Sequence, residues 1–174
     1  MSSRAGTAPL ASGASTFDIV DRGPGHVLAV YRNVFIAFWA TQGTGELIER
    51  LERFSAPHIE AHPEGVSSIQ LVAKGTPLAT SEARERLVSL IRRHSNRLAC
   101  IGTVLEGEGF WASATRSLIL GMRLLVPRSF EMQTYESIEE LARWLPAPHA
   151  KKTGVVLEEP ELIGVLRALR AQLK

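Results

Sequence analysis

The sequence predicts an α/β domain: a mixed sheet with antiparallel opening strands and parallel core strands, helices packed on it, and an appended C-terminal helix. Two observations carry this. Short apolar segments rich in branched residues alternate with longer ones whose apolar residues recur at helical spacing, and the connections between them are brief. Parallel strands need a helix-length crossover, so the alternation implies parallel pairing, whereas three closely spaced opening segments imply a meander. With 174 residues and 45% apolar content, the chain has enough to bury one core.

The opening strand is "FDIVD" from Phe17, followed by the turn "RGPG" and by "HVLAVYR" and "VFIAFWA", which join through Arg32 and Asn33. "TQGTGELIERLERFSA" places Leu47, Ile48, Leu51 and Phe54 on one helical face with Thr44 as cap, so the helix is expected to end near Ala56. "PHIEAHPEG" is expected to be a loop, because prolines flank it. Strand "VSSIQLVAKG" and helix "SEARERLVSLIRRH" follow, then strand "RLACIGTVLEG" and helix "FWASATRSLILGMRLLV", with Trp111, Ala114, Leu118 and Leu125 on its stripe. "FEMQTY" is a short strand, and "SIEELARWL" a helix in which Ser137 and Glu140 form a capping box. "PAPHAKKTG" reads as a linker. "EEPELIGVLRALRAQLK" reads as a helix whose Leu162, Val165, Leu166, Leu169 and Leu173 form a stripe that needs a surface, on its own domain or on a partner. The expected divisions are a flexible segment 1–16, a domain 17–145, and a linker with its helix 146–174.

Composition narrows the class. The longest uncharged apolar run, Val34 to Ala40, is far short of the roughly 18 residues of a membrane span. The N-terminal segment lacks the apolar block of a secretory signal, and Cys100 is the only cysteine, so a cytoplasmic protein without disulfides is expected. The net charge is only +2. Arg84, Arg86, Arg92, Arg93 and Arg97 cluster along one helix and just past its end, but Glu82 and Glu85 interrupt them and no aromatic residues interleave. A solvated face is therefore expected, with no nucleic-acid partner.

The strong short motifs of hydrolases, nucleotide-binding loops and zinc sites are absent, and no catalytic residue or cofactor is expected. The glycines of "LEGEG" suit a tight turn. His58 and His62 in "HIEAH" are expected to be loop histidines without a metal, and Trp39, Trp111 and Trp144 fall within apolar segments. Thr80 and Ser81 stand where a helix begins. A hydroxyl there caps the unpaired amides, and a phosphate there would be stabilised by the same amides.

The order of strands and helices, closed by "YESIEELARWL", resembles the STAS domain, the anti-sigma-factor-antagonist fold, and especially its bacterial SpoIIAA-like branch. In that branch a final strand leads into a helix reading approximately F-x-S-x-E-E-A-x-x-W-L. The matching residues here are Tyr135, Ser137, Glu139, Glu140, Ala142, Trp144 and Leu145, with Leu141 standing one place before Ala142, and the likeness in topology runs over about Phe17 to Leu145. It implies a non-enzymatic regulatory module in signal transduction that binds a protein partner. Its contact or phosphorylation site would lie at Thr76, Thr80, Ser81 and Arg84, although the family's Asp-Ser-Ser-Gly pattern is absent there. The C-terminal helix would extend the interface or make a homodimer. SpoIIAA-like proteins are also similar in fold to Sec14-type lipid-binding domains. That implies the alternative function, a carrier or sensor of a small apolar ligand, in a pocket of about 300 Å³ or more bounded by Trp39, Phe110, Trp111 and Leu118.

Overall fold

The computed structural model describes residues 16–173, so the N-terminal segment lies almost wholly outside the described residues. Three antiparallel strands open the chain: β1 (Asp18–Gly23), β2 (His26–Tyr31) and β3 (Val34–Trp39). Gly25, at φ 74°, and Arg32, at φ 49°, turn the two hairpins. Arg32 holds a conformation that side chains disfavour. Its guanidinium donates to the Val156 carbonyl and pairs with Glu161, which ties the turn to the C-terminal segment.

From β3 onward the chain is parallel. Helix α1 (Gly45–Ala61) leads to β4 (Val66–Val72), α2 (Ser81–His94) to β5 (Leu98–Leu105), and α3 (Phe110–Arg123) to β6 (Glu131–Tyr135). The strands lie in sequence order, β1 to β6, so each crossover steps in the same direction. Crossovers of one hand that step one way place their helices on one face of the sheet. Side chains of α1, α2 and α3 accordingly pack with Leu28, Phe35, Ala37, Ile101 and Met132. The other face carries α4 (Ile138–Trp144), α5 (Pro146–Thr153) and α6 (Glu159–Arg170).

Three expected boundaries move. Helix α1 does not end near Ala56 but runs through Pro57 to Ala61, so His58 to Ala61 of "HIEAH" are helical and His62 is the C-cap. Pro57 forfeits one helical hydrogen bond, yet continuing the helix buries Ile59 to 6% exposure in the core, and tertiary packing outweighs the local penalty. The expected linker is helix α5: Pro146 stands in its first turn, Gly154 at φ 73° ends it, and His149 on its inner side is fully buried. In α3 the inward residues are Ala112, Thr115 and Met122, and Leu125 lies beyond the helix end, 55% exposed.

The stripe on α6 finds its surface within the chain. Leu162, Val165, Leu166 and Leu169 are buried with Ile36, Ile69 and Leu141, so this stripe is not a free surface for a second copy. Helix α4 comes close to the sheet because β5 carries Gly102 beneath it. A Cβ there would stand 2.7 Å from Leu141 Cδ1. Among the described residues no helix is long and apolar enough to cross a membrane.

Candidate functional site

Under α1, α2 and α3 the sheet surface is a grid of aligned rows. One row reads Phe35, Ser68, Ile101, Met132, and the next Ala37, Gln70, Thr103, Thr134. Small and polar residues at Ser68 and Thr103 leave the floor low, and the helices bridge over it instead of sinking in. The result is a cavity of about 200 Å³ between sheet and helices. Its roof comes from all three helices: Ile48, Leu51, Ser55 and Ile59 of α1, Leu87, Leu90 and Ile91 of α2, and Leu118, Ile119 and Met122 of α3. The volume is below the 300 Å³ expected from the sequence. A 150 Å³ apolar cavity holds benzene, so this one has room for roughly eight heavy atoms.

Polar atoms inside are few and mostly committed. Trp39 Nε1 donates to Gln70 Oε1 at 2.7 Å, and Gln70 Nε2 donates to Ser68 Oγ at 2.9 Å, a short chain along the floor. Thr115 donates to the Trp111 carbonyl one turn back. Ser55 is the exception: it lines the cavity, is 6% exposed, and its Oγ has no hydrogen-bond partner. An unsatisfied buried hydroxyl costs about 1–3 kcal/mol, so this position favours an occupant that can bond to it.

The cavity reaches the carboxyl ends of β3 and β4, where open α/β sheets place their ligands. Thr41, Gly43, Thr76, Pro77, Leu78, Ala79 and Arg84 form this end. Leu78 is 40% exposed, so this end is the mouth. The loop is held at several points. Gln42 Nε2 donates to the Leu78 carbonyl, the Thr80 amide donates to the Gly43 carbonyl, and Trp111 Nε1 donates to the Thr76 carbonyl at 2.7 Å.

The structure thus brings together two sets of residues that sequence reasoning kept apart. Thr76 and Arg84, from the expected contact site, line the same cavity as Trp39 and Leu118, from the expected apolar pocket. Within the first set the roles separate. Thr76 is 7% exposed and donates to the Ala73 carbonyl at 2.7 Å, a loop-locking role. Thr80 caps α2 by accepting from the Ala83 amide at 3.2 Å. Ser81 is exposed, and its Oγ accepts from Arg84 at 3.0 Å. Two of the expected pocket residues are displaced. Phe110 is 91% exposed, because the inward side of α3 is taken by Ala112 and Thr115, and Trp111 clamps the loop instead of lining the space.

Helix α3 is the most loosely attached part of the roof. It makes few close backbone contacts with any other element, and it follows Gly107 and Gly109, at φ 126° and 83°. Its start has no side-chain cap.

Sequence reasoning missed Ser55, Ser68, Gln70 and Thr103. A signal for two of them was present: in "VSSIQLV" the polar Ser68 and Gln70 alternate with Ile69 and Leu71, which marks one face of β4 as other than plain core.

The opposite face holds a sealed polar cluster. Asn33 Nδ2 donates to the Gly65 carbonyl at 3.0 Å, which points its Oδ1 at His149 Nε2, 2.9 Å away. Nε2 therefore carries the proton, and His149 Nδ1 accepts from Ser67 Oγ at 2.7 Å. Cys100 Sγ lies 3.2 Å from the same oxygen. Burial pulls the His149 pKa down to about 4 and pushes the Cys100 thiol up to about 12, so both stay neutral near pH 7. With Ser67, Cys100 and His149 all at 0% exposure, the cluster docks α5 to the sheet.

At the end of α1, His58 and the C-cap His62 sit one turn apart with ring centroids 4.4 Å apart. His62 Nδ1 faces the His58 carbonyl at 2.8 Å. Among the described residues no three potential ligands gather into a metal site. Comparison of the sequence with models of known protein families and with curated proteins finds no match.

Proposed function

We propose that the chain is a non-enzymatic binding module of STAS-like build that encloses a small, mainly apolar molecule beneath α1, α2 and α3. The single observation that carries this is the cavity of about 200 Å³, whose walls are apolar except for a few placed polar atoms and one orphan hydroxyl. Ligand sites have this make-up, with apolar walls for affinity and isolated polar groups for orientation. Packed interiors seldom leave such a void. Native mass spectrometry of protein taken gently from its source cells is expected to show a bound organic compound of low mass. Small apolar compounds are expected to raise its Tm. A bare protein whose Tm ignores such compounds would overturn the reading.

A regulatory use, contact with a protein partner, is supported by the same loop. Residues 76–79 form the mouth of the cavity and present the exposed Leu78, and the exposed Ser81 follows two residues on, so an occupant at the mouth alters the surface that a partner meets. Ser81→Glu is expected to weaken recovery of that partner in a pull-down and leave the fold intact. Unchanged recovery would remove the regulatory use and leave ligand binding standing.

A further inference from the structure

We infer that the occupant is a carboxylic acid with a short apolar tail of roughly eight heavy atoms, its carboxylate on Arg84 at the mouth and its tail running inward along α2. This rests on the cavity being a ligand site and adds the chemical class. The inventory of charge decides the sign. The residues lining the cavity include no Asp or Glu, and only two of them are titratable, Arg84 and His94. Burial, and then the charge of Arg93, hold His94 below its ordinary range, so it is neutral near pH 7. Arg84 is therefore the one fixed charge on the wall. An amine would enter with no counter-ion, whereas an acid finds one.

Arg84 and Arg92 differ from the other arginines of α2, and of these two only Arg84 lines the cavity. Arg86 pairs with Glu49 and Glu82, and Arg93 with Glu52. Among the described residues no carboxylate reaches Arg84, whose guanidinium donates only to the Ala79 carbonyl and to Ser81 Oγ, both at 3.0 Å. Those two bonds hold the side chain at the mouth and leave further N–H donors of its planar fork unspent, the arrangement that receives a carboxylate with two parallel bonds. Its position also breaks a local rule. A cation in the first turn of a helix opposes the helix dipole, and a bound anion cancels that opposition.

The tail has a track. Arg84 and His94 stand ten residues apart on α2, about 15 Å along the helix axis. Between them Leu87, Leu90 and Ile91 face Ile101 and Met132 across the cavity. The narrow volume suits one short chain or a single substituted ring and is too small for a two-chain lipid.

The test is calorimetric titration of the full-length protein with octanoate, octan-1-ol and octylamine, for the wild type and for Arg84→Gln. The wild type is expected to bind octanoate about tenfold tighter than octan-1-ol, with octylamine weakest. Arg84→Gln is expected to lose that preference and still bind octan-1-ol with near wild-type affinity, which shows its cavity intact. Arg84→Lys, which keeps the charge and loses the fork, is expected to fall between them. If octan-1-ol matches octanoate in the wild type, or if Arg84→Gln binds octanoate unchanged, the inference is wrong and the cavity takes a neutral occupant. If none of the three compounds binds, the ligand-site reading falls with it.

Discussion

On the face beneath α4, α5 and α6 the sheet presents Ile36, Ile69 and Gly102 in one row and Phe38, Leu71 and Val104 in the next, and α4 and α6 sink onto them. On the other face the corresponding rows carry Ser68, Gln70 and Thr103, and the helices stand off above a cavity. Both faces use the same strands and the same register, so the difference lies in side-chain size and polarity at alternating positions. A polar group on the solid face, such as Ser67 or His149, is fully paired, while the hollow face leaves Ser55 Oγ without a partner. One face is packed solid, and the other encloses a cavity.

The largest expected effect comes from truncation on the solid side. Leu166→Ala removes a fully buried side chain from a packed face and is expected to cost about 4 kcal/mol in urea denaturation. Leu118→Ala, at the cavity wall, is expected to cost less than about 2 kcal/mol, because its surroundings are already open. Equal losses would erase the contrast between the faces.

Next in size is a pH dependence seated in the sealed cluster. His149 has a folded-state pKa near 4 against an ordinary 6.5, so between those values the unfolded chain binds the extra proton and stability falls as pH falls. The loss is expected to reach about 3 kcal/mol across that window. His58, lowered to about 4 by burial and by His62, adds in the same direction. His149→Gln is expected to be less stable than wild type at pH 7 and to show a flatter profile from pH 6.5 to 4, read from denaturation midpoints. An unchanged slope would mean that His149 is not the group being titrated.

Smaller effects sharpen the hollow face. Ser55→Ala removes an unsatisfied hydroxyl from a helix and is expected to raise the stability of the empty protein by about 1 kcal/mol, measured as a higher Tm. A lower Tm would show that the hydroxyl is satisfied. Thr80→Ala removes the α2 cap and is expected to cost about 1 kcal/mol. Ser81→Ala, at an exposed position, is expected to change stability by less than about 0.5 kcal/mol. If the two substitutions cost the same, the capping role is not confined to Thr80.

Much of the fold was legible because periodicity reports one partner surface at a time. The strands of the meander, the caps Thr44 and Ser137, and the α6 stripe all read directly from local pattern, while local pattern leaves Thr80 and Ser81 both open as the α2 cap. Where a long-range contact overrode a local signal, the reading slipped. Pro57 suggested a helix end, but burial of Ile59 carries α1 onward. "PAPHAKKTG" looked like a linker because nothing local announces that His149 meets Asn33 and Ser67, more than eighty residues away in sequence. The site was half legible. Trp39 and Leu118 line the cavity as the resemblance implied, and Arg84 lines it although it was expected at a partner-contact surface, while Phe110 points outward because the rotation of α3 is set by its packing and not by its sequence alone.

The contrast between a hollow and a solid face is tested most directly by isoleucine methyl NMR during titration with benzene, a probe that fits a cavity of this size. Ile48, Ile59, Ile91, Ile101 and Ile119 line the cavity, and Ile36, Ile69 and Ile138 lie in the core on the opposite face. Saturable shifts in the first group with the second unmoved are expected. Shifts spread evenly over both groups, or none at all, would contradict the account.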